Sequence, residues 1–301
     1  MGLPESARLL ADLVAVPSPT RHEADAARML ADRLPRFGWS GSHLDGAGSV
    51  VAERGTGDKE LVLLSHIDTV PGGPEVMISD EVIRGRGSVD AKGPCCAMAV
   101  AGGTVPVPEG WRITFVAAVG EEIDSKGARF RMPLHSPEAC VIGEPTGSDG
   151  VAISYRGRIL FDIKGEDDGA HRSGSPGPIT DSVMAASSII DITRNMGKGY
   201  SVAIMEMEGH EAGKRSASIT MDLRTPLGAD QEELELMIRE TSAAFGVRSE
   251  IIEYVPPYGV HKSDPVIRAF RNAIRDCGGT PRVLAKQGTC DFNVLSPWGC
   301  H

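Results

Sequence analysis

His66 and Asp68 stand two positions apart at the end of an apolar run, LVLLSHIDTVP at 61–71. On an extended chain, residues two apart point to the same side. A neutral imidazole can bind a metal through one ring nitrogen while a neighbouring carboxylate holds the other ring N–H. A second apolar run, ITFVAAV at 113–119, leads into Gly120-Glu121-Glu122, and a third, at 139–143, ends in Glu144. Paired carboxylates at the end of a buried strand are costly unless a cation sits beside them. If the strand runs on through Glu121 and Glu122, the two face opposite ways. That suits two jobs, one as a metal ligand and the other reaching the water that the metal activates. Asp90 lies in the glycine-rich stretch GRGSVDAKG at 85–93, ahead of a small-residue helix at 94–101. It is placed either to cap that helix or to bridge two metal ions. The alternatives at the other positions are a strand ending in a polar turn and a solvated acidic loop. Three strand ends of the same kind weigh against them, because open α/β sheets gather their sites at the carboxyl ends of strands. The donors are nitrogen and oxygen without thiolate, which suits zinc or cobalt in a hydrolytic site.

The spacing of apolar residues predicts the elements that must hold these groups. Helices are expected at 6–16 and 23–37, separated by the turn Pro17-Ser18-Pro19-Thr20, where each proline removes a backbone donor. Strands are expected at 48–53, 61–65, 113–119 and 139–143, with a small edge strand at 82–84. From Val151 the pattern alternates as a half-exposed strand does. Helices at 181–195 and 230–245 and strands at 201–206, 217–224 and 247–255 complete the order β-α-β-β-α-β, which is ferredoxin-like. A helix at 264–277 and a strand at 282–285 follow. By pattern the chain therefore divides into an α/β part, 1–150 plus 256–301, and an α+β part, 151–255.

Composition bounds the function. The 301 residues are 41% hydrophobic and 24% charged, an ordinary globular balance. A formal net charge of −10 argues against a general nucleic-acid binder. No run is apolar for long enough to span a bilayer. The first residues lack a basic start followed by an apolar core, and Ala7 and Arg8 do not suit a myristoylation signal. Six cysteines, with Cys95 and Cys96 adjacent and no C-x-x-C pair, form neither a disulfide framework nor a thiolate zinc site. A reducing cytoplasm is the expected setting. Cys95 and Cys96 have no histidine partner in sequence, so burial is their expected role rather than nucleophilic catalysis.

The ordered motifs HxD, GRGxxDxKG, GEE and GEP resemble those of the dinuclear zinc amidohydrolase and peptidase family. That family includes aminoacylases, acetylornithine deacetylase, succinyl-diaminopimelate desuccinylase and carboxypeptidase G. The resemblance spans nearly the whole chain. It implies a zinc-exopeptidase-like catalytic domain with an inserted ferredoxin-like lid that often serves dimerisation, here as a homodimer. It also implies two zinc ions, with cobalt as an alternative. His66 and Glu144 resemble ligands of one metal, Glu122 a ligand of the other, and Asp90 the bridging carboxylate. Asp68 resembles the residue that orients His66, and Glu121 the general base. His171, in GAHRSG, resembles the lid histidine that stabilises an oxyanion, sometimes in the partner subunit's site. Arg224, in MDLRTP, resembles a family arginine position, the alternative being a surface cation paired with an acid. Thr289 lies in GTCDF at 288–292, which resembles the family's substrate-side loop, the alternative being an ordinary turn.

The strings VDAKGP, AVGEEIDSKGAR and GEPTGSDGVAISYRG are similar to the lysine-biosynthesis branch of that family. Its members release lysine or ornithine from the γ-carboxyl of the C-terminal glutamate of a small acidic carrier protein, LysW. An acidic partner calls for a basic patch, for which Arg156, Arg158, Arg172, Lys198 and Lys214 are candidates. Two other outcomes are open. One is an acetylornithine deacetylase or dipeptidase of the same family. The other is a non-catalytic protein that binds the carrier or one metal. The latter rests on a departure from the pattern. The family's further histidine ligand, in a segment resembling GPG…DHTPxE, has no counterpart before Cys300-His301. The expectation is a second metal site short of one ligand, and lower stability than a longer homologue.

Overall fold

In the computed structural model, which describes residues 2–169 and 176–301, the apolar runs become strands of one sheet. The elements run α1 (Glu5–Ala15), α2 (Ala24–Arg33), β1 (Ser42–Leu44), β2 (Val50–Gly55), β3 (Lys59–His66), β4 (Met77–Ile78), β5 (Ile83–Arg84), α3 (Lys92–Thr104), β6 (Trp111–Ala118), α4 (Lys126–Arg131) and β7 (Ala139–Gly143). They continue with β8 (Gly150–Tyr155), β9 (Gly157–Asp167), α5 (Pro178–Asn195), β10 (Ser201–His210), β11 (Arg215–Thr225), α6 (Gln231–Ala244) and β12 (Arg248–Val255). The last are β13 (Tyr258–Gly259), α7 (Pro265–Asp276), β14 (Arg282–Lys286) and α8 (Asp291–Val294).

The chain forms two units. One comprises Met1–Val151, His261–Leu284 and Cys290–His301, and the other Ala152–Val260 and Ala285–Thr289. In the first, the sheet order is β1-β2-β6-β3-β7. Strand β3 runs parallel to both β6 and β7, whereas β1, β2 and β6 pair antiparallel. Alternate side chains of the central strands serve two cores. Leu63 and Phe115 pack with Leu9, Leu13, Leu30, Trp39 and Ala99 from the α1–α3 side. Val62, Leu64, Val116 and Ala118 pack with Ala128, Val294 and Leu295 on the other. Coverage of both faces explains why these strands read as continuous apolar runs rather than alternating ones. Each fully buried Leu, Val or Phe contributes roughly 1.5–3 kcal/mol. Helix α3 is built of small residues because it lies close to its neighbours. A Cβ on Gly103 would stand 2.2 Å from the Phe37 carbonyl oxygen.

Register levels the ends that matter. His66 lies opposite Ala118, and Ser65 opposite Gly143. The loops leaving β3, β6 and β7 therefore emerge together at the carboxyl edge of the sheet.

The second unit has the order β9-α5-β10-β11-α6-β12 and an antiparallel sheet ordered β10-β11-β9-β12. Ala185, Ala186, Ile189, Leu234 and Ile238 from its helices pack on Ile159, Phe161, Ile163, Met221 and Leu223. Asp230 caps α6, its carboxylate accepting from the N–H groups of Glu232 and Glu233.

Three details differ from the sequence-based expectations. The helix expected at 23–37 stops at Arg33 and continues as a 3-10 turn, Leu34–Phe37. Pro35 has no N–H to extend the α-helical ladder, and Gly38 turns the chain at φ 92°. The alternating segment from 151 is two strands, β8 and β9, broken at Arg156. At the break a Cβ on Gly157 would sit 2.5 Å from Thr225 Oγ1. Helix α3 is longer than the 94–101 expected, running from Lys92 to Thr104. Among the described residues, no helix is long and apolar enough to cross a membrane.

Candidate metal centre

His66 closes β3 with 1% of its side chain exposed. Its Nδ1 lies 3.0 Å from the main-chain oxygen of Asp68 and 3.5 Å from the Asp68 carboxylate. Its Nε2 faces the other way, 3.1 Å from Asp90 Oδ1 and 3.9 Å from Glu121 Oε2. Burial alone would lower the affinity of this ring for a proton. The Asp68 and Asp90 hydrogen bonds and the charges on Glu121 and Glu144 override it and raise the pKa well above the ordinary histidine value.

The buried Asp68 carboxylate ties the ends of two strands together. It accepts from the Glu121 N–H at 3.0 Å, the Glu122 N–H at 3.1 Å and the Thr20 hydroxyl at 2.8 Å. Burial disfavours its charge, but the contacts with His66, Thr20 and the Glu122 N–H hold it below the usual carboxylate range.

Asp90 does not cap α3. The N-cap is Ala91, with no side-chain cap, and Asp90 reaches His66 instead. The Asp90–Ala91 peptide bond is cis. Glu121 and Glu122 also differ from expectation, because they do not continue an extended strand. Strand β6 ends at Ala118, and Gly120 takes φ 79°. The Gly120 carbonyl then accepts from the N–H groups of Asp124 and Ser125. A tight turn, not strand pleating, sets the directions of the two carboxylates. Glu121 is 11% exposed. Burial and the nearby Asp291 push its pKa up to about 9. Burial also raises Glu122, against the attraction of His66 and with the repulsion of Asp90 and Asp68.

The ligand atoms of His66, Asp90 and Glu122 all lie within 4.8 Å of one another. Glu144 follows β7, outside this group but near enough to raise His66 and Glu121. A buried imidazole near Glu121 and Glu122, whose ionisation burial resists, marks a site short of positive charge, and a divalent cation supplies it. The donor set therefore fits a borderline metal such as zinc.

Two participants escaped the sequence reading. Asp291, the first residue of α8, is buried, with Oδ1 lacking a hydrogen-bond partner. Burial pushes it up to about 6, against a hydrogen bond from Ser125 and attraction to His66. It lies in the GTCDF segment at 288–292, where Thr289 is the residue that the resemblance singles out. Thr20 falls in the turn expected at 17–20, with nothing local to link it to Asp68.

In the second unit, Arg224 donates to Thr289 Oγ1 at 3.0 Å and to Asp222 at 2.8 Å. Arg158 lies 3.3 Å from Asp222 and 3.4 Å from Glu253. Arg156 donates to Gln287 O, Gly199 O and Ser201 Oγ. Partial burial and the proximity of Arg224 make Arg156 less basic than usual. Lys214 lies at the opposite end of β11, paired with Glu166 at 3.0 Å, so the five basic candidates do not form one patch. His171 and Arg172 lie outside the described residues. Burial raises the Cys95 thiol well above its usual range and pushes Cys96 up to about 12, which disarms both as nucleophiles.

The model of Peptidase family M20/M25/M40 matches residues 62–299. A Deinococcus radiodurans protein named LysW-lysine hydrolase is 32% identical over 308 residues, covering 96% of this chain and 84% of that protein. A Staphylococcus aureus tripeptidase has a similar structure, with a TM-score of 0.77 at 18% identity over 98% of this chain and 87% of the other. A Bacillus subtilis dinuclear metal-binding peptidase gives 0.68 at 16% identity over 97% and 85%.

Proposed function

The chain belongs to peptidase family M20/M25/M40, a metal-dependent amide hydrolase by membership, and we propose that it releases lysine from the γ-glutamyl C-terminus of a LysW-type acidic carrier. Ornithine is the alternative leaving amine. The observation that carries the substrate assignment is the 32% identity to the Deinococcus LysW-lysine hydrolase over 96% of the chain. The chemistry rests on the convergence of His66, Asp90 and Glu122.

His66, Asp90 and Glu122 would hold zinc, or cobalt in its place, with Glu144 as a further ligand, and the family resemblance implies two such ions. When bound, the metal polarises the amide carbonyl and acidifies the attacking water. Asp68 fixes the orientation of His66. Glu121 takes the proton of the attacking water and returns it to the leaving amine. A base that works near neutrality must be ionised there, and nearby positive charge would bring Glu121 down from about 9. His171 stabilises the oxyanion. Arg224 and Thr289 bind the substrate. Arg158 and Arg224 are offset by Asp222 and Glu253, so Arg156 supplies the excess positive charge that an anionic carrier terminus needs. The inserted domain serves as lid and homodimer interface, and the free thiols suit work in the cytoplasm.

The deciding assay offers the zinc-loaded protein a carrier ending in γ-glutamyl-lysine, the matching ornithine conjugate and free N-acetylornithine. Faster release of lysine from the carrier supports the assignment. Preference for N-acetylornithine would replace it with a deacetylase, and binding without turnover would leave a carrier-binding protein.

A further inference from the structure

Helix α1 ends at Ala15, and the prolines at 17 and 19 prevent its continuation. The next residues lie alongside 67–69, the loop that carries Asp68. Pro19 forms a parallel bridge with Thr69. The Thr69 N–H donates to Ser18 O at 3.0 Å, and the Thr20 N–H donates back to Thr69 O at 3.2 Å. The buried Ser18 hydroxyl donates to Ile67 O at 2.7 Å. The Thr20 hydroxyl donates to Asp68 Oδ2 at 2.8 Å. Each residue of 67–69 is thus held by a different group of the 18–20 segment.

The base of this segment is anchored in turn. Lys92 is buried, and its Nζ donates to the carbonyls of Leu13 at 3.0 Å and Val16 at 2.8 Å. A cation suits the carbonyl end of a helix. Lys92 lies two residues after Asp90, so the same side chain joins the α1 end to the loop that brings Asp90 to His66.

We propose that residues 17–20 are a strap that positions the His66–Asp68 pair for metal binding, with Thr20 as its positioning residue and Lys92 as its anchor. This rests on the metal reading above. Without the Thr20 hydroxyl, the carboxylate is held by the Glu121 and Glu122 N–H groups alone, and its hold from the strap side is lost. His66 then loses part of the restraint on its orientation. Partners that orient metal ligands typically contribute about 10–100-fold to affinity.

The test titrates cobalt(II) into the purified wild-type chain, Thr20→Val and Thr20→Ser, following the visible absorption bands. Thermal unfolding of the metal-free proteins is recorded alongside. Valine keeps the shape of threonine and removes the donor, whereas serine keeps the donor. Thr20→Val is expected to bind cobalt about 10–100-fold more weakly with altered bands, and Thr20→Ser to recover wild-type affinity and bands. Wild-type binding and spectrum in Thr20→Val would overturn the strap while leaving the metal reading intact. So would an equal loss in Thr20→Ser, which would mark a packing effect. No cobalt bound by the wild-type chain overturns the metal reading, and the strap with it.

Discussion

Replacing Asp291 with asparagine should stabilise the metal-free protein at alkaline pH, although it alters the site. The ordinary Asp pKa of 3.8 is raised to about 6 here, chiefly by burial. At 1.36 kcal/mol per unit, a rise of about two units costs about 3 kcal/mol once the group is ionised in both states. Below the unfolded value, Asp291 is protonated folded and unfolded, and no cost arises. As pH climbs from 3.8, the unfolded chain loses the proton while the folded one keeps it, so stability falls. Above about 6 the loss is complete. Asparagine never ionises and escapes this loss. The cost of about 3 kcal/mol is already net of the Ser125 bond to the carboxylate; asparagine, compared with the protonated acid, gives up about 1 kcal/mol of neutral hydrogen bonding. The net gain is about 2 kcal/mol at pH 8, roughly 4 °C in Tm for a chain of this size. Thermal melts with chelator at pH 4 and pH 8 read it directly. The account expects Asp291→Asn to melt above wild type at pH 8 and at or below it at pH 4. Zinc should erase the advantage, because a bound cation stabilises the wild-type carboxylate. A variant that melts lower than wild type at pH 8 in chelator, or a gain equal at both pH values, would refute the reasoning.

Glu121→Gln should bind zinc as wild type does and lose about 10²–10⁴-fold in kcat; near-normal turnover by the zinc-loaded variant would remove Glu121 from the base role. Glu60 is buried, and hydrogen bonds from His135, Thr114 and Arg112 overcome the opposing effect of burial and lower its pKa to about 2. Its contribution, about 3 kcal/mol, is present above the ordinary carboxylate pKa of 4.5 and fades as pH falls toward 2. Melting of Glu60→Gln should therefore lie well below wild type at pH 7 and converge with it near pH 2. Arg224→Met should raise KM for the carrier conjugate more than it lowers kcat. Binding of that conjugate should weaken as salt rises, and salt-independent binding would count against an electrostatic contribution.

The residues legible in the sequence were those whose partners are close in sequence or fixed by strand ends. Parallel pairing of β3, β6 and β7 brings His66, Glu121 and Glu144 to one edge of the sheet, and buried apolar runs announce such strands. The turn at Gly120 was less legible, since a glycine permits a left-handed bend without requiring one. Asp291 and Thr20 depend on long-range packing. Thr20 meets Asp68 across 48 positions, and only the paired geometry of α1, the strap and β3 brings them together. The break at Arg156 is also tertiary, because it depends on Thr225 and Pro257 crowding Gly157, not on any loss of alternation.

The most direct test of the central claim is anomalous diffraction at the zinc edge from crystals of the zinc-loaded protein. A peak within bonding distance of His66 Nε2, Asp90 and Glu122 is the predicted result. Zinc elsewhere, with those three side chains unligated, would contradict the assignment of this cluster as the metal centre.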